Sequence, residues 1–117
     1  MSQAAPSPAR FLACDAFVTA AAYAPGVAAF TLGDGTVRLV RDDAEETAIA
    51  AHDGAALCLA AWEDGFVSGG DDGRLVRIGA DGATEEIFRT GGKWIEQVAA
   101  SPASGATVMS TPASRPA

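Results

Sequence analysis

The sequence predicts an all-β chain built from repeated four-stranded antiparallel units. Three observations carry this expectation. Turn signals rich in Gly, Asp and Pro recur about every 8–12 residues, a spacing too short for ordinary helices but right for short strands. Between these turns apolar and polar residues alternate, as with Val37 and Leu39 against Arg38 and Arg41. The run Ser68-Gly69-Gly70-Asp71-Asp72-Gly73-Arg74-Leu75-Val76-Arg77-Ile78 also has an earlier counterpart in Leu32-Gly33-Asp34-Gly35-Thr36-Val37-Arg38-Leu39-Val40. Its turn glycines, Gly35 and Gly73, are 38 residues apart. Self-similarity at such a period indicates an array of small units.

Taken in order, residues 1–9 form a Pro/Ala/Ser leader without a burial pattern, expected to be disordered. A short strand is expected at 10–14. The first unit, about 15–52, places strands at 17–23, 27–32, 36–41 and 46–51, with Ala24-Pro25-Gly26, Gly33-Asp34-Gly35 and Asp42-Asp43-Ala44-Glu45 between them. The second, about 53–91, repeats this with strands at 56–62, 66–69, 74–78 and 84–89. A third copy, about 92–109, starts at Gly92-Lys93-Trp94, runs through Val98, turns at 101–105 and ends with 106–109. Residues 110–117 carry two prolines that a central strand does not accept, and are expected to form a disordered tail.

Polarity narrows the architecture. The first three strands of each unit are apolar on nearly both faces, whereas the fourth carries Glu46 and Thr47, or Thr84, Glu85 and Glu86. A sheet buried on both faces requires sheets on either side. Four strands with a wet outermost one describe a propeller blade, and small residues suit strands crowded near an axis.

Composition excludes several functions. At 117 residues with 49% hydrophobic content the chain can bury a core, but aromatics reach only 7%, so alanine carries much of that total. A net charge of −7 with scattered basic residues argues against nucleic acid as a partner. No signal peptide or membrane span is visible, since residues 2–10 before Phe11-Leu12-Ala13-Cys14 lack an apolar stretch. The two cysteines, Cys14 and Cys58, have neither disulfide-framework nor metal-ligand spacing, and a reducing cytoplasm fits them best.

Residues 10–109 resemble the WD40-repeat family. The likeness is carried by Ala51-His52-Asp53-Gly54, by Phe66-Val67-Ser68-Gly69-Gly70, and most strongly by Asp72-Gly73-Arg74-Leu75-Val76-Arg77-Ile78 with its echo at 34–40. The resemblance implies a partial WD40-like β-propeller with two four-stranded antiparallel blades and part of a third, a portion of a larger propeller. It also implies a structural hydrogen-bond tetrad, mapped here onto His52, Ser68 and Asp72. Ile78 and Val40 occupy the place of the family's tryptophan and cannot donate; the first unit keeps only Asp34 and Thr31.

The remaining candidates divide between structure and binding. His52, the only histidine, is expected to tie its loop to Ser68 or Asp72, because nothing around it in sequence forms an activated nucleophile. Asp71-Asp72 reads as a turn and not a calcium loop, lacking further oxygen ligands at loop spacing. No cofactor, metal or catalytic residue is expected. Trp94 is expected as a core or blade-edge aromatic. Family geometry puts Asp34, Asp53 and Asp71 on one acidic loop face, which implies a non-enzymatic scaffold for a protein partner, a basic peptide in particular. The alternative is a portion of a propeller enzyme or ligand carrier whose active residues lie elsewhere.

Two and a half units cannot close a ring, which leaves apolar faces and strand edges open to self-association. The isolated chain is therefore expected to be marginal in stability, and to self-associate or be partly molten. Size-exclusion chromatography with thermal unfolding tests this. A monodisperse monomer melting sharply above about 65 °C, the upper end for ordinary domains, would contradict it.

Overall fold

Tight reversals dictate the topology. Gly35 and Gly73 follow an aspartate in each repeated turn and adopt φ of 94° and 75°, a left-handed conformation costly for any residue with a Cβ. The structure, a computed structural model, describes residues 16–43, 45–101 and 106–110. Every regular element among them is a strand. The first sheet has the order β1 (Val18–Ala24), β2 (Val27–Leu32), β3 (Thr36–Arg41) and β4 (Glu46–Ala50). The second is β5 (Ala56–Trp62), β6 (Gly65–Gly70), β7 (Arg74–Ile78) and β8 (Thr84–Arg89). A hairpin of β9 (Gln97–Ser101) and β10 (Ala106–Ser110) follows. All neighbouring strands are antiparallel.

The chain is thus all-β, with two four-stranded antiparallel blade-like sheets and part of a third. The repeat extends to irregularities. Register shifts in β1 between Val18 and Ala20 recur in β5 between Ala56 and Cys58, 38 positions later. Such bulges add twist where strands crowd.

Packing proceeds sheet on sheet. Between the first and second sheets lie Val27, Ala29, Val37 and Leu39 on one side and Phe66, Val76 and Ile78 on the other. Between the second sheet and β9 lie Cys58, Val67, Leu75 and Ile95. The second sheet is therefore buried on both faces, and every residue of β6 is buried. Its neighbour is less evenly covered: on the side away from the second sheet Leu32 and Val40 are buried, but β1 is mostly exposed, with Tyr23 at 72%. Arg41 reaches across the first interface to donate from Nη2 to the Ala80 carbonyl at 2.5 Å.

The third unit departs from the sequence expectation. Residues 92–96 are loop, and the strand starts only at Gln97. Gly91 and Gly92, at φ of 82° and 124°, break the extended backbone. Thr90 then closes the loop, its hydroxyl donating to the Lys93 carbonyl at 2.6 Å. Ile95 N donates to Gly70 O at 3.0 Å, which seats Ile95 in the core. Trp94 is consequently turned out, 53% exposed, and is not a core residue. Smaller shifts occur elsewhere: β1 begins at Val18, leaving Phe17 exposed, β4 stops at Ala50, β6 spans Gly65–Gly70, and β10 runs on to Ser110. The expected strand at 10–14, the leader, the turn at 102–105 and the tail beyond Ser110 lie outside the described residues. No helix of the described residues is long and apolar enough to cross a membrane.

Phe66 is the largest side chain fully buried between the first two sheets. Phe66→Ala is expected to cost about 3–5 kcal/mol in urea unfolding. The same truncation at half-exposed Phe88 should cost less than about 1 kcal/mol. Equal losses at both positions would contradict the layered core.

Candidate functional site

One end of the sheets gathers the residues singled out in the sequence. The link from β4 to β5 crosses the β2–β3 turn, where His52 N donates to Gly35 O at 3.0 Å. It then meets the β6–β7 turn, where Asp71 N donates to Ala55 O at 2.9 Å. These backbone bonds place Asp34, Asp53 and Asp71 together at this end, all three exposed.

Beneath them His52, Ser68 and Asp72 form one network. His52 Nδ1 lies 3.1 Å from Asp72 Oδ1, and Nε2 lies 2.8 Å from Ser68 Oγ. Ionised Asp72 only accepts, so Nδ1 carries the proton and Nε2 accepts from the Ser68 hydroxyl. Asp72 also accepts from the backbone N–H of Asp53 and of Arg74, each at 3.0 Å. Gly70 leaves room for this: a Cβ there would stand 2.5 Å from His52 Nδ1.

Electrostatics follow from this setting. Burial pushes the His52 pKa below 6.5, and the hydrogen bond and charge of Asp72 only partly oppose it, so the ring is neutral at pH 7. Burial works in the other direction on Asp72, but its hydrogen bonds from Asp53 N, Arg74 N and His52 outweigh it and hold the carboxyl below its usual value. Asp34 is also lowered, by the hydroxyl and N–H of Thr36. Burial raises the Cys58 thiol to about 11, which makes it a poor nucleophile.

The order serine, histidine, aspartate matches a nucleophile, a base and its orienting acid. Access decides otherwise. Ser68 is 0% exposed, packed under the first sheet, so no substrate carbonyl can approach its oxygen. What the arrangement does chemically is clamp a loop, a turn and a strand to one another. Among the described residues no three His, Cys, Asp or Glu side chains converge as a metal would need.

The sequence reading missed the arginine beside this network. Arg74 lies 3.7 Å from Asp72 Oδ2, donates to the Ala51 carbonyl at 3.0 Å and to Glu86 Oε1 at 2.5 Å. Arg89 joins the same carboxylate at 2.7 Å. Its alternation in β7 places Arg74 on the His52 side, but the contact to Ala51 needs the neighbouring link and is not visible in sequence. The loop end therefore presents Arg89 and Lys93 beside its three exposed aspartates, and is mixed in charge.

The other units solve the same joint differently. Thr31, fully buried, donates to Thr19 Oγ1 at 2.8 Å, and Thr19 donates to the Ala56 carbonyl at 2.7 Å. In the third, Thr90 occupies the position of His52, its N–H donating to Gly73 O at 2.8 Å. No protein-family model matches the chain, and no curated protein matches it.

His52 dictates a pH dependence of known sign. With its folded pKa below the unfolded value, the unfolded chain takes up the proton first as pH falls. The His52 contribution is thus whole above about pH 6.5 and declines from there toward the lowered folded pKa. His52→Gln should lower stability at pH 7.5 by roughly 1–3 kcal/mol, by leaving buried Ser68 and Asp72 poorly paired. It should also flatten the profile between pH 7 and 5. Denaturant unfolding at both pH values measures this, and an undiminished slope in the variant would exclude the histidine as its source.

Proposed function

We propose that this chain is a non-enzymatic protein-interaction scaffold built of WD40-like repeats, which receives a basic peptide segment at its loop end. One observation carries the reading. The Ser68–His52–Asp72 arrangement is buried and committed to holding loops, while Asp34, Asp53 and Asp71 above it stay exposed. Rigid loops displaying charge on a strand framework are what a recognition surface requires, because little ordering entropy is lost on binding. The WD40-like reading is supported by blade-like sheets at a 38-residue period and by His, Ser and Asp standing at the family's tetrad positions. A reducing compartment, the cytoplasm, suits the free, buried thiol of Cys58.

Arg89 and Lys93 flank the acidic positions, so a suitable peptide carries lysine or arginine at spaced positions and not as an unbroken run. Fluorescence anisotropy against a panel of labelled basic peptides tests the assignment. The triple variant Asp34→Asn, Asp53→Asn, Asp71→Asn should weaken the best binder about tenfold or more, and raised salt should weaken the native complex. Equal affinity for native chain and variant would refute the loop end as the binding face.

A further inference from the structure

Beside the β1–β2 turn, at the end of the first sheet away from the acidic loops, a hollow of about 360 Å³ opens, with Tyr23, Ala28, Phe30, Val40 and Asp42 in its lining. Strand register accounts for it. Ala28 stands between Tyr23 and Val40 in one cross-strand row, so only a methyl group fills the middle. Phe30 is the next residue of β2 on that side, within diagonal reach of Tyr23. Asp42, just past β3, is tied to the turn by its N–H, which donates to Gly26 O at 3.1 Å, and its Oδ2 lies 3.9 Å from where a Cβ on Gly26 would stand. Val40 is buried and gives the hollow a packed floor, while Tyr23 forms an open wall. Thirty-eight residues later the same five places hold Ala61, Phe66, Ser68, Ile78 and Ala80. There a phenylalanine fills the middle of the row, and the aromatic wall and the carboxylate are both missing. The hollow is therefore particular to the first sheet and not a by-product of the repeat.

The charges around it are unequal in commitment. Arg41 also lines the hollow, but it shares its side of the sheet with Val27, and its guanidinium donates to Glu45 Oε1 at 3.3 Å, Thr47 Oγ1 at 2.9 Å and the Ala80 carbonyl at 2.5 Å. Arg38, beside Phe30 but outside the lining, lies 3.9 Å from Glu46. Asp43 accepts from Glu45 N at 2.9 Å. The Asp42 carboxylate makes no hydrogen bond or ion pair among the described residues. We propose that this hollow receives a quaternary ammonium group, with Tyr23 and Phe30 against its methyl groups and Asp42 balancing its charge. Ring faces are negative and attract such a cation, and the group has no N–H to satisfy. Other cations ask for more than the hollow offers. Calcium takes about six to eight oxygen ligands, a guanidinium carries several N–H donors, and a lysine ammonium is strongly hydrated. One carboxylate cannot replace those partners.

Proton NMR of the full 117-residue chain tests this, because Tyr23 is the only tyrosine and its ring signals report the site directly. Choline, titrated to about 50 mM at constant ionic strength, should move those signals to a plateau, with half-saturation in the millimolar range expected of so small a ligand. Its neutral isostere, with a tert-butyl group in place of trimethylammonium, should bind about tenfold more weakly. Asp42→Asn, at an exposed position, should weaken choline about three- to tenfold. Tyr23→Leu, followed through broadening of the choline methyl signal, should abolish binding, and it supplies an independent reading if circular dichroism finds Asp42→Asn unfolded. Competition against choline by a trimethyllysine peptide, or by phosphatidylcholine vesicles, assigns the group to a protein tail or to a lipid surface; competition by neither assigns it to a free solute. Equal binding of choline and its neutral isostere overturns the proposal and leaves an apolar hollow only. A shift without a plateau, or undiminished binding by either folded variant, overturns it equally.

Discussion

The carboxylate of Asp72 is the constraint on which the ordered end of this molecule depends. Four hydrogen-bond donors or ionic partners, from Asp53, Arg74 and His52, converge on its two oxygens. They come from the link between the sheets and from the first residue of the strand that follows. Charge-assisted bonds to backbone N–H groups are stronger than neutral ones, and they define direction as well as distance. One side chain thereby sets the shape of the β6–β7 turn and the path by which the chain passes from one sheet to the next. His52 carries that order inward to Ser68, in the most deeply buried strand.

The other two joints show that the side-chain network is one solution among several. A backbone bond from the incoming link to the preceding turn glycine occurs twice, from His52 N to Gly35 O and from Thr90 N to Gly73 O. Around it the chemistry changes, from a threonine relay through Thr31 and Thr19 to a histidine network and then a self-closing threonine loop. The repeated element is the backbone geometry. Side chains supply whatever satisfies the polar groups buried beneath it, which are costly if left unpaired.

Legibility followed the range of the interactions. The eight strands of the first two units were readable within a residue or two, because turn chemistry and alternation are local. The link of His52 to Ser68 and Asp72 was readable as well, because resemblance supplied positions that spacing alone does not. The third unit was misread at its start. Lys93 and Trp94 look like the opening of a strand, but Gly91 and Gly92 bend the backbone and Ile95 takes the buried place. Ile95 wins through a bond to Gly70 O and a gap left by glycine at position 69, both contributed by a strand 25 or more residues away. The role of Arg74 escaped for the same reason: its Ala51 contact crosses between elements.

By itself the sequence determined the class of fold, the period and the places of reversal. Those are matters of backbone preference and side-chain alternation, decided within a few residues of the position concerned. Tertiary structure decided what the same residues do. Only packing shows that Ser68 is sealed beneath a neighbouring sheet, so that a serine, a histidine and an aspartate in hydrogen-bonded order become a structural clamp. Only packing shows that two alike sheets differ, the inner strands of one buried on both faces and the first strand of the other left mostly exposed at Tyr23. Burial is a property of what lies opposite, and a strand's own residues do not encode their neighbour.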